Sequence, residues 1–267
     1  MSNWRAIVAL PRVTVLIPNY NDEEYLDVSI ESAFNQDYPG PITVCVVDDG
    51  STDSSWDIIK SHMKNPTKSV FLDRDVLTTR GLGRFGNTEL IAIKNINSGP
   101  SGARNVGIRY TLDNTDIYAM LDSDDEMYPH KVQSCVLAML DPTIGVAYGD
   151  YDVLHVTNGK KIREFKEPYS RKRIMQECIV HSGSAVRKEA LEDTLEETGY
   201  YDETMRTCED YDLWMRISEK YMIVHIPESL TLVRVTGDNS SFIVNPEVWQ
   251  KNWLRVMQKT DSRLDGQ

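Results

Sequence analysis

The sequence predicts an α/β fold whose core is a mostly parallel β-sheet covered by helices on both faces. Three observations carry this. Short apolar runs alternate with helix-spaced apolar positions over roughly the first 140 residues, the rhythm of strand, crossover helix and parallel strand. Two of those runs stop abruptly at clustered carboxylates, Asp48-Asp49 and Asp122-Ser123-Asp124-Asp125. From Val146 onward the rhythm changes to antiparallel strands and short helices.

Val13-Thr14-Val15-Leu16-Ile17 is the first strand, and Pro18-Asn19-Tyr20-Asn21 leaves it. Leu26, Ile30, Ala33 and Phe34 recur at helical spacing, and Pro39-Gly40-Pro41 breaks the chain before the strand Ile42 to Val47. A helix carries Trp56, Ile59 and Met63 in step, and Leu90 to Ile93 is the third strand. Ser98-Gly99-Pro100-Ser101-Gly102 opens a helix that turns Ala103, Val106 and Tyr110 inward. The strand from Ile117 follows, then a helix with Val132, Val136 and Leu140 on one stripe. Asn158-Gly159 reads as a hairpin turn between Val146–Val156 and Lys161–Phe165. Short helices are expected near 171–179 and 187–194, a helix start at Cys208-Glu209-Asp210, and a late strand from Leu230 to Val235. Beyond Pro246, Val248, Trp249, Trp253 and Val256 stand at near-helical spacing, so the tail is expected to pack on the domain or on a second copy of the chain.

The 267 residues suffice for one large α/β domain or two small ones. A formal net charge of −12 argues against a nucleic-acid backbone as partner, and against a polybasic route to anionic membranes, although a local basic patch leaves peripheral contact open. Cys45, Cys135, Cys178 and Cys208 are widely spaced with no CxxC pair, which argues against a zinc site or disulfide framework. Neither a leader-type apolar region nor a run of membrane-spanning length occurs, so the expected location is cytoplasmic.

Side chains alternate along a strand, so Asp122 and Asp124 point the same way if extension continues past Leu121. Two carboxylates on one side of a strand end suit a hard divalent cation, Mn2+ or Mg2+, which in turn bridges phosphate oxygens. The bland alternative is a solvated acidic turn before Pro129. Asp48-Asp49-Gly50-Ser51 allows two readings as well: acceptors for a base or ribose, or an Asp-Gly turn that caps the next helix through Ser51 or Asp53.

The ordered set Val13 to Asn21, Val47 to Asp53, Gly102-Ala103-Arg104-Asn105-Val106-Gly107, Leu121 to Asp125, Gly199 to Glu203 and Glu209-Asp210-Tyr211-Asp212-Leu213-Trp214 resembles family 2 glycosyltransferases of the GT-A fold. The resemblance spans residues 13 to about 240. It implies a single catalytic domain over 1–245, a nucleotide-sugar half at 1–126 and an acceptor half at 127–245, followed by a helical tail at 246–267. It implies that Pro18 and Tyr20 border the nucleoside, that Asp48 and Asp49 hold the base or ribose, and that Arg104 and Asn105 sit at the nucleotide. Asp122-Ser123-Asp124 matches the family's DxD motif, with Asp124 the direct metal ligand, and Asp210 with Glu209 beside it matches the catalytic base. The implied reaction transfers sugar from a nucleotide-diphospho-sugar, UDP-linked by expectation, to a saccharide or other hydroxyl acceptor, with inversion. The competing readings are a catalytically silent nucleotide-sugar binder and a metal-dependent nucleotidyltransferase; the latter lacks its glycine-rich basic loop after the first strand.

Several features depart from the pattern. Gly81-Leu82-Gly83-Arg84-Phe85-Gly86 spells a dinucleotide fingerprint but lacks the flanking strand and helix that the motif requires. The segment 69–88 reads as an insertion, either a lid over the donor or a plain flexible loop. Thr236 stands where relatives often carry His, which leaves a third protein ligand to the metal unsupplied. His181 is either an acceptor or phosphate contact or a packed histidine, and His225 reads as core. Trp214 either lines the acceptor pocket or anchors its helix.

Overall fold

The computed structural model describes residues 9–236 and 245–265. The first strand, β1 (Val13–Asn19), leads through α1 (Leu26–Phe34) to β2 (Ile42–Asp48), and α2 (Ser55–Ser61) follows. A hairpin of β3 (Thr67–Phe71) and β4 (Arg74–Leu82) precedes β5 (Thr88–Lys94). Next come α3 (Gly99–Thr111), β6 (Ile117–Met120), β7 (Glu126–Met127) and α4 (Lys131–Ala138). The second half holds β8 (Ile144–His155), β9 (Lys160–Glu164), α5 (Arg171–Ile174), β10 (Ala185–Arg187) and α6 (Lys188–Glu192). It closes with α7 (Glu209–Ile217), β11 (Met222–Val235) and α8 (Pro246–Asp265).

One mixed sheet runs through the whole domain in the order β3-β4-β5-β2-β1-β6-β10-β8-β11-β7, with β9 paired to β8. Strands β5, β2, β1 and β6 are mutually parallel, as the strand–helix rhythm predicts. Burial alternates along them: Leu16, Cys45 and Val47 enter the core beneath α3, whereas Val15, Ile17, Val44 and Val46 enter the core beneath α1 and α4. That two-sided burial accounts for the unbroken apolar runs. The parallel strands share one direction, so their acidic carboxyl ends gather along one rim, where ligands of open α/β sheets collect.

The segment 69–88 is neither lid nor flexible loop. Most of it forms the antiparallel β3–β4 hairpin on the sheet edge, with Thr78 opposite Ile91 and Arg80 opposite Glu89. Its glycines lie where β4 turns into β5, at the sheet end opposite the carboxylates. Gly83 has φ 74°, a backbone that other residues adopt only with strain. No helix follows it, so the fingerprint has no dinucleotide context. The late strand also begins earlier than predicted and runs parallel to β8. Leu140 is 70% exposed and lies off the buried stripe of α4, which ends before it. His225 is nearly buried and pairs with Asp150, in keeping with a core position. The four cysteines are free, and no helix among the described residues is long and apolar enough to cross a membrane. A glycosylation sequon in the sequence, Asn239-Ser240-Ser241, lies outside the described residues.

The tail helix α8 packs on α7 through Val256, Trp249 and Trp253. Its charged residues bind the same region: Lys259 Nζ lies 2.8 Å from Glu196, 3.1 Å from Asp202 and 2.9 Å from Asp212. Asp202 and Asp212 are fully buried, and Arg255 and Arg216 share them. Removing one cation from such a cluster leaves buried anions undercompensated. Lys259→Met is therefore expected to lower the unfolding free energy by about 1–3 kcal/mol in urea denaturation, less than for a lone buried pair because Arg216 and Arg255 remain. Lys259→Arg should recover most of the loss.

Candidate active site

The rim of the parallel sheet collects charge from four chain-distant segments. β6 ends at Met120, and Asp122 to Asp125 form a turn closed by the Asp125 amide on the Asp122 carbonyl at 3.1 Å, so the extension expected past Leu121 does not continue; within that turn Asp122 and Asp124 are half-buried while Ser123 and Asp125 are buried. Arg104, on α3 and 6% exposed, bridges this loop to α7: its Nη2 donates to Asp122 Oδ1 at 2.7 Å and its Nη1 to Glu209 Oε1 at 2.9 Å. The Tyr201 ring lies 5.3 Å from the guanidinium. Burial opposes the charge on Arg104, but Asp122 and Glu209 outweigh it and hold the pKa above its ordinary value. Burial pushes Asp122 up, yet the Arg104 charge wins and lowers it; its second oxygen accepts from Ser182 Oγ at 3.2 Å.

Asp210 is the second residue of α7, beside Glu209. Its Oδ1 accepts from the Tyr211 amide at 2.7 Å, the helix-terminal compensation that the sequence allows. That bond and Arg104 pull its pKa down, but burial and the neighbouring Glu209 prevail and raise it to about 7. A carboxylate that takes up a proton near neutrality is matched to general-base work.

Burial and the charges of Asp124 and Asp122 also raise Asp125 well above the carboxylate range, although it accepts the Arg234 amide at 3.0 Å. Arg234 clamps the same loop from β11, donating to the Asp124 carbonyl at 3.1 Å and to Glu126 at 2.9 Å. Oxygen donors with surplus negative charge fit a hard divalent cation at Asp122 and Asp124. Among the described residues no group of three His, Cys, Asp or Glu side chains forms a closed metal cage. An ion held by two protein carboxylates and otherwise by phosphate and water needs no such cage.

Other expected contacts are turned inward. Asp49 is 2% exposed: Oδ1 accepts from Asn95 Nδ2 at 2.6 Å and Ser98 N at 3.0 Å, and Oδ2 accepts from Gly99 N at 2.8 Å. It caps α3, a helix some fifty residues away, instead of facing a base. Asn95 is held in turn by Arg74 of the hairpin. Asp48 is also buried and accepts from Asn19 Nδ2 at 3.1 Å. Asn105 does not wall the cleft; it exchanges hydrogen bonds of 2.8 and 2.9 Å with the Tyr201 backbone. Ser123 donates inward to Asp22. Trp214 is wholly buried and anchors α7, which excludes it from an acceptor pocket. Asn105 and Trp214 lie on the buried sides of α3 and α7, while Asp48, Asp49 and Ser123 are held by partners that the fold brings to the strand ends. Pro18, by contrast, is half-buried and Tyr20 is 50% exposed, open to a ligand at the β1 end.

His181 is half-buried and stacks on Tyr151 with centroids 4.5 Å apart. Burial, reinforced by the charge of Lys131, lowers its pKa to about 3, so the ring is neutral. Its Nδ1 accepts the Gly183 amide at 3.0 Å, which leaves the proton on Nε2 as a donor. Lys131 was not anticipated. It is 1% exposed beneath the acidic loop, donates to the Met120 carbonyl at 3.1 Å and Thr231 Oγ1 at 3.0 Å, and burial lowers its pKa to about 8. A lysine one helical turn before Cys135, on the stripe that includes Val132 and Val136, was the available signal. Asp22 had none, since its partner Ser123 comes from 101 residues away.

A family model described as glycosyl transferase family 2 matches residues 14–195. Chondroitin synthase of Escherichia coli is 26% identical over 262 residues, covering 96% of this chain and 33% of that protein. An uncharacterized glycosyltransferase of Rickettsia bellii is 26% identical over 249 residues, covering 92% of this chain and 32% of its own. The chain thus spans about a third of the length of these curated relatives. The S. aureus TarS 1–349 complex with UDP-GlcNAc superposes with a TM-score of 0.66 at 20% identity, over 93% of this chain and 65% of that one. The mannosyltransferase PcManGT from Pyrobaculum calidifontis, in complex with GDP-Man and Mn2+, gives 0.59 at 18% identity, over 87% and 59%. The α/β fold with its mixed sheet is the GT-A fold of these structures.

Arg104 lowers the Asp210 midpoint. In a carbon-detected NMR titration of labelled aspartates, Asp210 is expected to titrate near pH 7 in the ligand-free protein, and Arg104→Met should move that midpoint upward. The folded chain holds this proton more tightly than the unfolded chain. Its contribution to stability therefore falls as pH rises from the ordinary carboxylate range to about 7 and levels off above it, a contribution that Asp210→Asn should remove from the wild-type profile.

Proposed function

Because the chain belongs to glycosyl transferase family 2, we propose that it moves a sugar from a nucleotide-diphospho-sugar, UDP-linked, to an acceptor hydroxyl with inversion at the anomeric carbon. The observation that carries this reading is the double ion pair of Arg104, which ties the Asp122 loop to the helix bearing Glu209 and Asp210. UDP and UDP-GlcNAc in the TarS complexes support the uridine donor, and Mn2+ in PcManGT supports a divalent ion.

Tyr20 and Pro18 border the nucleoside, while Asp49 acts indirectly by fixing the loop 95–99 at the start of α3. Asp122 and Asp124 would hold the cation. When bound, that ion supplies Lewis-acid neutralisation of the charge that develops on the departing diphosphate. Asp210, ionised above about pH 7, accepts the proton of the acceptor hydroxyl. The hydroxyl oxygen forms its bond to the anomeric carbon as the bond to the diphosphate oxygen breaks, and the electron pair leaves with the nucleotide. One displacement from the opposite face inverts the centre, with no covalent enzyme intermediate. His181, neutral with its proton on Nε2, donates on the acceptor side without adding charge.

In a melting-temperature screen, UDP with Mn2+ is expected to raise the midpoint more than GDP, dTDP or CDP, because ligands stabilise the state that they bind; an equal response to all four overturns the uridine preference. Asp210→Asn should cut kcat by about 100- to 10,000-fold while leaving the UDP–Mn2+ shift in place. The acidic limb of wild-type kcat/KM should have its midpoint near pH 7; wild type and variant turning over donor equally slowly would mean binding without catalysis.

A further inference from the structure

A cavity of about 560 Å3 lies at the other end of the sheet, between the β3–β4 hairpin, β5 and the C-terminal end of α3. Thr43, on its floor, precedes Asp48 by five residues of β2, about 17 Å of extended strand, so the cavity is separate from the acidic rim. Two cross-strand rows build the floor: Thr67 opposite Thr78 opposite Ile91, and Arg80 opposite Glu89 opposite Thr43.

A sheet face beneath a helix is ordinarily apolar, and farther along these strands it is, with Val76, Ile93 and Val47 in the core. Here α3 reaches its last turn and the same face turns to hydroxyls. Among the described residues, the side chains of Thr43, Asn65, Ser69, Thr78 and Asn114 make no hydrogen bond to the protein. Arg80 is paired to Glu89 at 2.6 Å. Tyr110 closes one wall, its ring held edge-on against Phe71 at 5.0 Å.

Hydroxyls and amides that both donate and accept, around a single aromatic wall and little net charge, match a polyol better than a phosphate or an apolar ligand. We propose that this cavity is a second, non-catalytic saccharide-binding site that holds a sugar chain away from the reaction centre. It rests on the transferase reading only in taking that chain to be the acceptor; its own chemistry comes from the hairpin.

The test is saturation-transfer NMR of the full chain with maltohexaose, chitohexaose and a hexameric oligogalacturonate, the last distinguishing an acidic chain from neutral ones. At least one should give a signal that persists in Asp210→Asn and in the presence of UDP and Mn2+. Thr78→Trp, which puts an indole on the cavity floor, and Ser69→Trp, at its exposed edge, should each weaken that binding by about tenfold or more. The proposal is overturned if none of the three chains binds, or if binding is unchanged in both variants while their melting temperatures match the wild type. Donor turnover is measured alongside: turnover without saccharide binding removes this site and leaves the transferase reading, whereas binding without turnover does the reverse.

Discussion

Arg104 is almost wholly buried, and its two nitrogen donors are committed to carboxylates from different parts of the chain, Asp122 and Glu209. A guanidinium so placed keeps its charge, since both partners stabilise the cation against the cost of burial. Its planar fork also fixes direction. The strand-end loop and the start of α7 are therefore held at a set separation, and the cleft between them inherits that geometry. Asp210, one residue beyond Glu209, is poised by the same arrangement: burial and repulsion from Glu209 raise its pKa, and the Tyr211 amide and Arg104 keep the rise to about 7.

The acidic rim would be unstable if every carboxylate in it were ionised. The structure distributes the charge by three means. Arg104 and Arg234 neutralise from the two sides of the loop. Lys131 contributes a buried positive charge from below, which its hydrogen bonds to Met120 and Thr231 hold in place. Burial, with repulsion from Asp124 and Asp122, raises the Asp125 pKa well above the carboxylate range. What remains on the open side is the pair Asp122 and Asp124. The same economy holds behind α7, where Lys259, Arg255 and Arg216 satisfy Asp202 and Asp212 from opposite faces. The tail helix thus belongs to the support of α7, although it lies outside the matched family segment.

The β3–β4 hairpin widens the sheet beyond its parallel core and serves both ends of it. At the carboxyl end Arg74 braces Asn95, which braces Asp49, so an edge strand reaches the loop that opens α3. At the other end its Thr and Ser rows line the cavity beside Tyr110. Read as sequence, glycines and arginines suggest flexibility; paired in register with β5, the same residues are edge strand and turn.

Local pattern alone determined the parallel half of the fold and the acidic ends of β2 and β6, because strand period and apolar runs are properties of adjacent residues. It also marked Glu209-Asp210 as a helix start. Which carboxylates face the cleft was decided by tertiary structure. Asp49 and Asp124 look alike in sequence, yet Asp49 is drawn inward by the amides of Ser98 and Gly99, donors that only the folded sheet brings near. Asn105, Ser123 and Trp214 became supports for the same reason. The unforeseen ionisation of Asp210 and Asp125 likewise depends on burial and on charges remote along the chain. Electrostatic environment is a sum over space, and adjacent residues do not record it.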